Sequence, residues 1–200
     1  MKKILALCFI LVIVFANVGF ASRSKFKDSN YDFHNMRNFY LSNISYESGV
    51  MPENFREDSN PTNRVLNALR NAFIKQGKQL LTQPDDMNYT NVDLQVIVYC
   101  LGISKHWQEP YYEDVYENEK VVKKDSSGKE VTWKVPRHRT VYHPGKWISD
   151  SYAEIEFNLI DRNTGKVIYN LRDDRKRDNS DSYDGMLNRI CNDFIKDLNK

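Results

Sequence analysis

The residue types best able to do chemistry gather between Ile103 and Ile148. This stretch holds Trp107, Trp133 and Trp147, which are all the tryptophans of the chain, and His106, His138 and His143. Trp107, Tyr112, Tyr116, Trp133, Tyr142 and Trp147 sit among basic residues that include Arg137 and Arg139. Aromatic faces stack on sugars and on partner side chains, and guanidinium groups add planar hydrogen bonding. Such residues are enriched at binding hot spots. These six aromatics and two arginines form the candidate binding set. The competing reading is that the aromatics only pack the segment against a main sheet.

The histidines support a second chemistry, a hydrolytic or metal-dependent site built from His106, His138 and His143 with Glu109 or Asp114. Two features oppose it. The zinc-protease spacing H-E-x-x-H is absent, and Arg137 and Arg139 flank His138, where they would repel a cation. Four Gly-Lys pairs begin at Gly77, Gly128, Gly145 and Gly165, but Gln79, Glu130, Trp147 and Val167 follow where a phosphate-binding loop needs Ser or Thr. Asp161-x-Asn163-x-Gly165 lacks the spacing of a calcium loop. The chain is therefore expected to be non-catalytic, with no metal and no cofactor.

The N-terminus sets the compartment. Lys2-Lys3, the 13 apolar residues Ile4–Ala16 and the small residues Gly19 and Ala21 have the layout of a secretory signal peptide cleaved after Ala21. The apolar run is short against the ~20 residues of a spanning helix, so no membrane span is expected after cleavage. Removing Lys2 and Lys3 from 29 Lys+Arg leaves 27, equal to the 27 Asp+Glu. A neutral exported chain gives no reason to expect nucleic acid. Export also permits a disulfide. Cys100 and Cys191 both fall on apolar faces that should meet in one core layer, which leaves two readings open, a bridge or two buried free thiols.

The elements that must position the 103–148 segment follow from periodicity. Ser22–Ser29 is polar and reads as a loose arm, and Arg37–Tyr46 reads as a strand. Asn60 at N-cap and Pro61 at N1 start a helix that Gly77 ends. Val92–Leu101 alternates strongly enough for a strand, parallel to the first if the helix is a crossover. Tyr116–Lys124 and Glu130–Val141, joined by Asp125–Lys129, read as a long hairpin with one wet face. Ser151–Leu171 reads as a second hairpin turning at Gly165. Asp173–Asp181 reads as a charged connection. Ser180 or Ser182 then caps a last helix whose stripe runs from Tyr183 to Leu198.

Taken in order, Tyr31-Asp32-Phe33, Asn91-Val92-Asp93-Leu94, the D-x-x-T-G-x-x-I-Y run Asp161–Tyr169 and the closing helix resemble a family of small bacterial envelope proteins, often lipoproteins, of unknown function. The chain departs from that family in lacking the lipid-accepting Cys and in its long 103–148 excursion. The resemblance implies an envelope location and no particular activity.

The expected fold is α+β: a mainly antiparallel sheet of about five strands with two helices packed on one face, plus an extended excursion hairpin. Residues 1–21 are read as signal peptide and 22–200 as one domain carrying the hairpin. The expected function is a periplasmic or secreted binding or assembly module of the cell envelope whose hairpin meets an envelope protein or a glycan. A structural, oligomer-forming subunit is the remaining alternative; the sequence leaves the oligomeric state open.

Overall fold

The computed structural model describes residues 22–49, 51–124 and 126–200; the expected signal peptide lies outside them. In order come β1 (Ser22–Lys27), β2 (Asn38–Tyr46), β3 (Phe55–Glu57), α1 (Pro61–Lys75), β4 (Gln79–Leu81), a 3-10 turn (Pro84–Tyr89) and β5 (Val92–Gln108). They are followed by β6 (Tyr111–Lys124), β7 (Glu130–His143), β8 (Lys146–Asp161), β9 (Lys166–Arg177) and α2 (Asp184–Leu198). The chain parts into two compact units, residues 106–148 and the remainder.

The larger unit is built on a seven-stranded sheet of order β1-β9-β8-β5-β2-β4, with β3 paired to β5. This corrects the expected sheet of about five mainly antiparallel strands. The sheet is mixed: β2 is parallel to both β4 and β5, whereas β1–β9, β8–β9 and β3–β5 are antiparallel. The parallel pairing of β2 with β5 agrees with the crossover reading, but the chain leaving α1 first forms β4 on the opposite side of β2. The polar segment read as a loose arm is edge strand β1. Edge strands tolerate charge because one side of their backbone faces water.

Helix α1 starts as its sequence dictates. The Asn60 side chain accepts the Asn63 N–H at 3.4 Å, Pro61 opens the helix, and Gly77 follows with φ +65°. Helix α2 departs from expectation: its N-cap is Tyr183, without a side-chain cap, and Ser182 Oγ accepts only from the Asp184 N–H at 3.4 Å. Both helices bury their apolar stripes on one face of the sheet. Phe194 of α2 joins the layers. Its ring lies parallel to Phe157 of β8 at 4.4 Å, meets Tyr169 of β9 at 5.7 Å, and meets Phe73 of α1 at 6.4 Å. Burying a side chain of this size contributes about 1.5–3 kcal/mol.

The other sheet face is half-buried and polar. Tyr99 donates to Glu156 at 3.0 Å, Arg172 reaches Glu154 at 2.7 Å, and the Arg172 guanidinium lies 4.1 Å from the centre of the Tyr99 ring. The segment read as a charged connection is the second half of β9. Its charges are satisfied in place: Arg175 binds the buried Asp173 at 2.6 Å and Asp193 at 2.9 Å. At the β8–β9 turn, Gly165 has φ +67° and its N–H reaches Asp161 O at 2.7 Å. Tyr31 donates to the Asp161 carboxylate at 2.5 Å, so the D-x-N-x-G run serves as a turn.

Cys100 and Cys191 are free and buried, so the bridge left open by the sequence is not formed. They occupy different surroundings. Cys191 belongs to the core cluster beneath the helices, while the core place on β5 beyond Val98 is taken by Leu101. Burial raises the Cys100 thiol to about 12, with further contributions from Glu154, Asp174 and Glu57.

Candidate functional site

The 106–148 unit consists of the β6–β7 ladder and the short lengths of chain at its base. Fourteen residues of β6 pair with fourteen of β7 in unbroken antiparallel register, from Tyr111–His143 to Lys124–Glu130. Successive strand side chains point to opposite faces, so this register assigns every residue to a face. The odd-numbered face carries Tyr111, Glu113, Val115, Glu117, Glu119, Val121 and Lys123 on β6. Opposite them stand His143, Val141, Arg139, Arg137, Val135, Trp133 and Val131 on β7. The even-numbered face carries Tyr112, Asp114, Tyr116, Tyr142, Thr140 and His138 along its base half.

The structure divides the eight nominated residues into three groups. Tyr112, Tyr116 and Tyr142 share the even face, where Tyr112 meets Tyr142 at 5.1 Å and Tyr116 stacks on His138 at 4.6 Å. Trp133, Arg137 and Arg139 lie on the odd face. Trp107 and Trp147 meet edge to face at 5.7 Å at the base. Gly145 permits this arrangement, because a Cβ there would strike the Trp107 indole and Pro110. All six aromatics are exposed, from 41% for Trp133 to 78% for Tyr116.

The arginines do not make the surface basic. Arg137 pairs with Glu119, and Arg139 pairs with Glu117 at 2.8 Å. His143 Nε2 lies 2.8 Å from Glu113, and His138 Nε2 lies 3.3 Å from Asp114. The odd face is therefore a row of cross-strand ion pairs running between valines. Val115, Val121, Val135 and Val141 are its half-buried members, and Val131 and Trp133 are exposed. The sequence reading recognised the alternation but nominated none of these valines; their period of two on both strands was the available signal.

The histidines do not form the alternative metal site. His138 and His143 occupy opposite faces of the ladder, so their rings cannot converge. Among the described residues, no group of three or more His, Cys, Asp or Glu is placed to hold a metal ion. In the larger unit, an open cleft of about 560 Å³ is bordered by Arg56, Asp58, Lys105 and Tyr183. Its carboxylate Asp58 is already bound by the Tyr183 hydroxyl and by Arg64. Burial, followed by that hydrogen bond, pushes the Tyr183 phenol up to about 12.

Among the described residues, no helix is long and apolar enough to cross a membrane. No family model matches the chain, and no curated protein matches it. Solved structures do. PelC from Paraburkholderia phytofirmans, solved as a dodecamer in two crystal forms, superposes with a TM-score of 0.50 at 10% identity. The match covers 90% of this chain and 98% of PelC in both forms. A PDZ domain protein from Parabacteroides distasonis reaches a TM-score of only 0.30 at 14% identity, over 90% of this chain and 35% of its own. That superposition carries no argument. Over nine-tenths of its length the chain is similar in fold to PelC.

Proposed function

We propose that the protein is an exported, non-catalytic assembly module of the bacterial cell envelope that associates with copies of itself, with the 106–148 hairpin as its contact surface. The observation that carries this reading is the ladder. A two-stranded hairpin is marginal in water on its own, yet here 14 residue pairs hold register while both faces expose large apolar side chains. An exposed array of that kind is a contact surface by composition. Two further features support the reading. The Lys2–Ala21 layout directs export, and the fold neighbour PelC was solved as a dodecamer. The family resemblance of the Tyr31–Phe33 and Asp161–Tyr169 runs points to the same compartment.

The test is the native mass of the mature chain, residues 22–200, by light scattering during gel filtration across a micromolar dilution series. A mass that is a multiple of the monomer and falls on dilution is the expected result. A monomer at every concentration would overturn the reading.

A further inference from the structure

The odd face of the hairpin has an unusual division of charge. Every carboxylate on it belongs to β6 (Glu113, Glu117 and Glu119), and every arginine and histidine belongs to β7 (Arg137, Arg139 and His143). Between and beyond these groups run Val115, Val121, Val131, Trp133, Val135 and Val141. Apart from Lys123 near the tip, the β6 edge of the face is thus acidic and the β7 edge basic over overlapping lengths of the ladder, with apolar residues on both.

We infer that this face is a docking surface whose occupant is the same face of a second copy of the chain, related by a two-fold axis running along the hairpin. The inference rests on the self-association reading above and specifies its contact. Rotation about that axis lays β6 of one copy over β7 of the other while both hairpins point the same way. Sheets packed face to face lie about 10 Å apart, within reach of Glu and Arg side chains from both sides. Glu117 of each copy then stands over Arg137 of the other, Glu119 stands over Val135 one step along from that arginine, and Arg139 stands over Val115 one step back from Glu117, while Trp133 lies over Val121. Interfaces of this two-fold kind are self-complementary by construction.

Other arrangements fit the pattern less well. A two-fold axis across the hairpin would set β6 on β6, with carboxylates facing carboxylates. Edge-to-edge extension through β7 would meet Pro136, which has no N–H to offer. The even face has no such division; its Asp114 is held by Thr140 at 2.8 Å and stands beside His138.

Three variants test the contact. The first is E117K with E119K, which makes both edges basic. The second is R137E with R139E, which makes both edges acidic. Each alone should associate roughly a hundredfold or more weakly than the native chain, because like charges now face each other. An equimolar mixture of the two should recover a heterodimer, since the face of one copy is then predominantly basic and that of the other predominantly acidic. The third variant combines E117R, E119R, R137E and R139E. It reverses both edges, keeps the pairs within each hairpin, and should associate as the native chain does.

Readouts are native mass and analytical ultracentrifugation of the mature chain, with circular dichroism to follow the fold. Recovery in the mixture and in the four-fold variant supports the contact. Loss in the single-sign variants without recovery in the mixture overturns it, because hairpin damage alone would behave that way. Native association that all variants retain overturns the contact and leaves self-association standing. A native chain that is monomeric throughout overturns both.

Discussion

The Tyr169 hydroxyl donates to Asp197 Oδ2 at 2.9 Å, joining β9, the strand next to edge strand β1, to the last turn of α2. The same carboxylate receives Lys25 of β1, whose Nζ lies 2.9 Å from Oδ2. Burial pushes the Asp197 carboxyl up, but the hydrogen bonds from Lys25 and Tyr169 and the charges of Lys25 and Arg23 outweigh it and hold the group below its ordinary range. A polar group thus sits at the core edge because three elements converge on it.

Tyr169→Phe removes the hydroxyl and leaves the ring that packs on Phe33 and Phe194. The expected loss is about 1–3 kcal/mol, the cost of leaving a buried acceptor short of a partner. Lys25→Met should cost less, since Lys25 is half-exposed and β1 is an edge strand. Urea unfolding monitored by circular dichroism measures both. Because the folded Asp197 value lies below the unfolded one, its contribution is present above the unfolded value of ~3.9 and disappears as pH falls through the folded value. Asp197→Asn should therefore flatten the acid limb of the stability curve.

The alkaline limb is set by buried phenols. Burial raises Tyr46 and Tyr183 to about 12 and raises Tyr169 further, and the carboxylates Glu57, Asp58 and Asp197 beside them add to the effect. A phenol raised by folding contributes stability that is intact below the unfolded value of ~10 and is lost as pH rises through the folded value. The melting temperature should therefore fall between pH 10 and about 12. Tyrosinate absorbance should show one group of phenols titrating only as the circular dichroism signal is lost. Tyr183→Phe should make the fall shallower. A melting temperature that stays level across this window in the native chain would refute the assignment.

Much of this fold could be read from local signals. Asn60-Pro61 and Gly77 bracket α1 because capping and backbone conformation are local properties, and the β8–β9 turn follows from Asp161 and Gly165 in the same way. What escaped was structure created by partners distant in sequence. Ser22–Lys27 has no apolar period and becomes a strand only because β9 offers it an edge. Asp173–Arg177 looks like a linker until Arg175 is placed between Asp173 and Asp193. The hairpin was legible from its alternating valines and aromatics, but its faces were not. A slip of one residue in register exchanges the cross-strand partners, so whether Trp133 and Arg137 of β7 stand with Glu117 or with Tyr116 of β6 depended on a pairing that composition does not fix.

Cys100 and Cys191 should be unreactive in the native chain. The thiolate is the nucleophile, and burial drives both thiols upward, Cys100 to about 12. Treatment with iodoacetamide at mildly alkaline pH, followed by peptide mass spectrometry, should leave the Cys100 and Cys191 peptides unlabelled. The same treatment in denaturant without reductant should label both. Failure to label in denaturant, reversed by a reductant, would instead reveal a bridge.

Lys78 provides the sharpest test of the loop that carries Phe33 into the core. Its side chain is buried, and Nζ donates to three backbone carbonyls, Phe33 O at 3.2 Å, His34 O at 3.4 Å and Met36 O at 2.5 Å. One ammonium group thereby satisfies the turn between β1 and β2 from the foot of β4. Lys78→Met keeps the aliphatic stem and removes all three donors, so it should cost about 1–3 kcal/mol, with Lys78→Gln intermediate. Burial, followed by the nearby Arg37 charge, lowers the Lys78 ammonium below its ordinary value. Between the folded value and the unfolded value of ~10.4 the unfolded chain holds more protons, so stability from this group rises with pH. The native advantage over Lys78→Met should therefore widen as pH climbs into that window. A difference that is constant or shrinks there would show that the three carbonyls offset the burial and that the ammonium is not lowered.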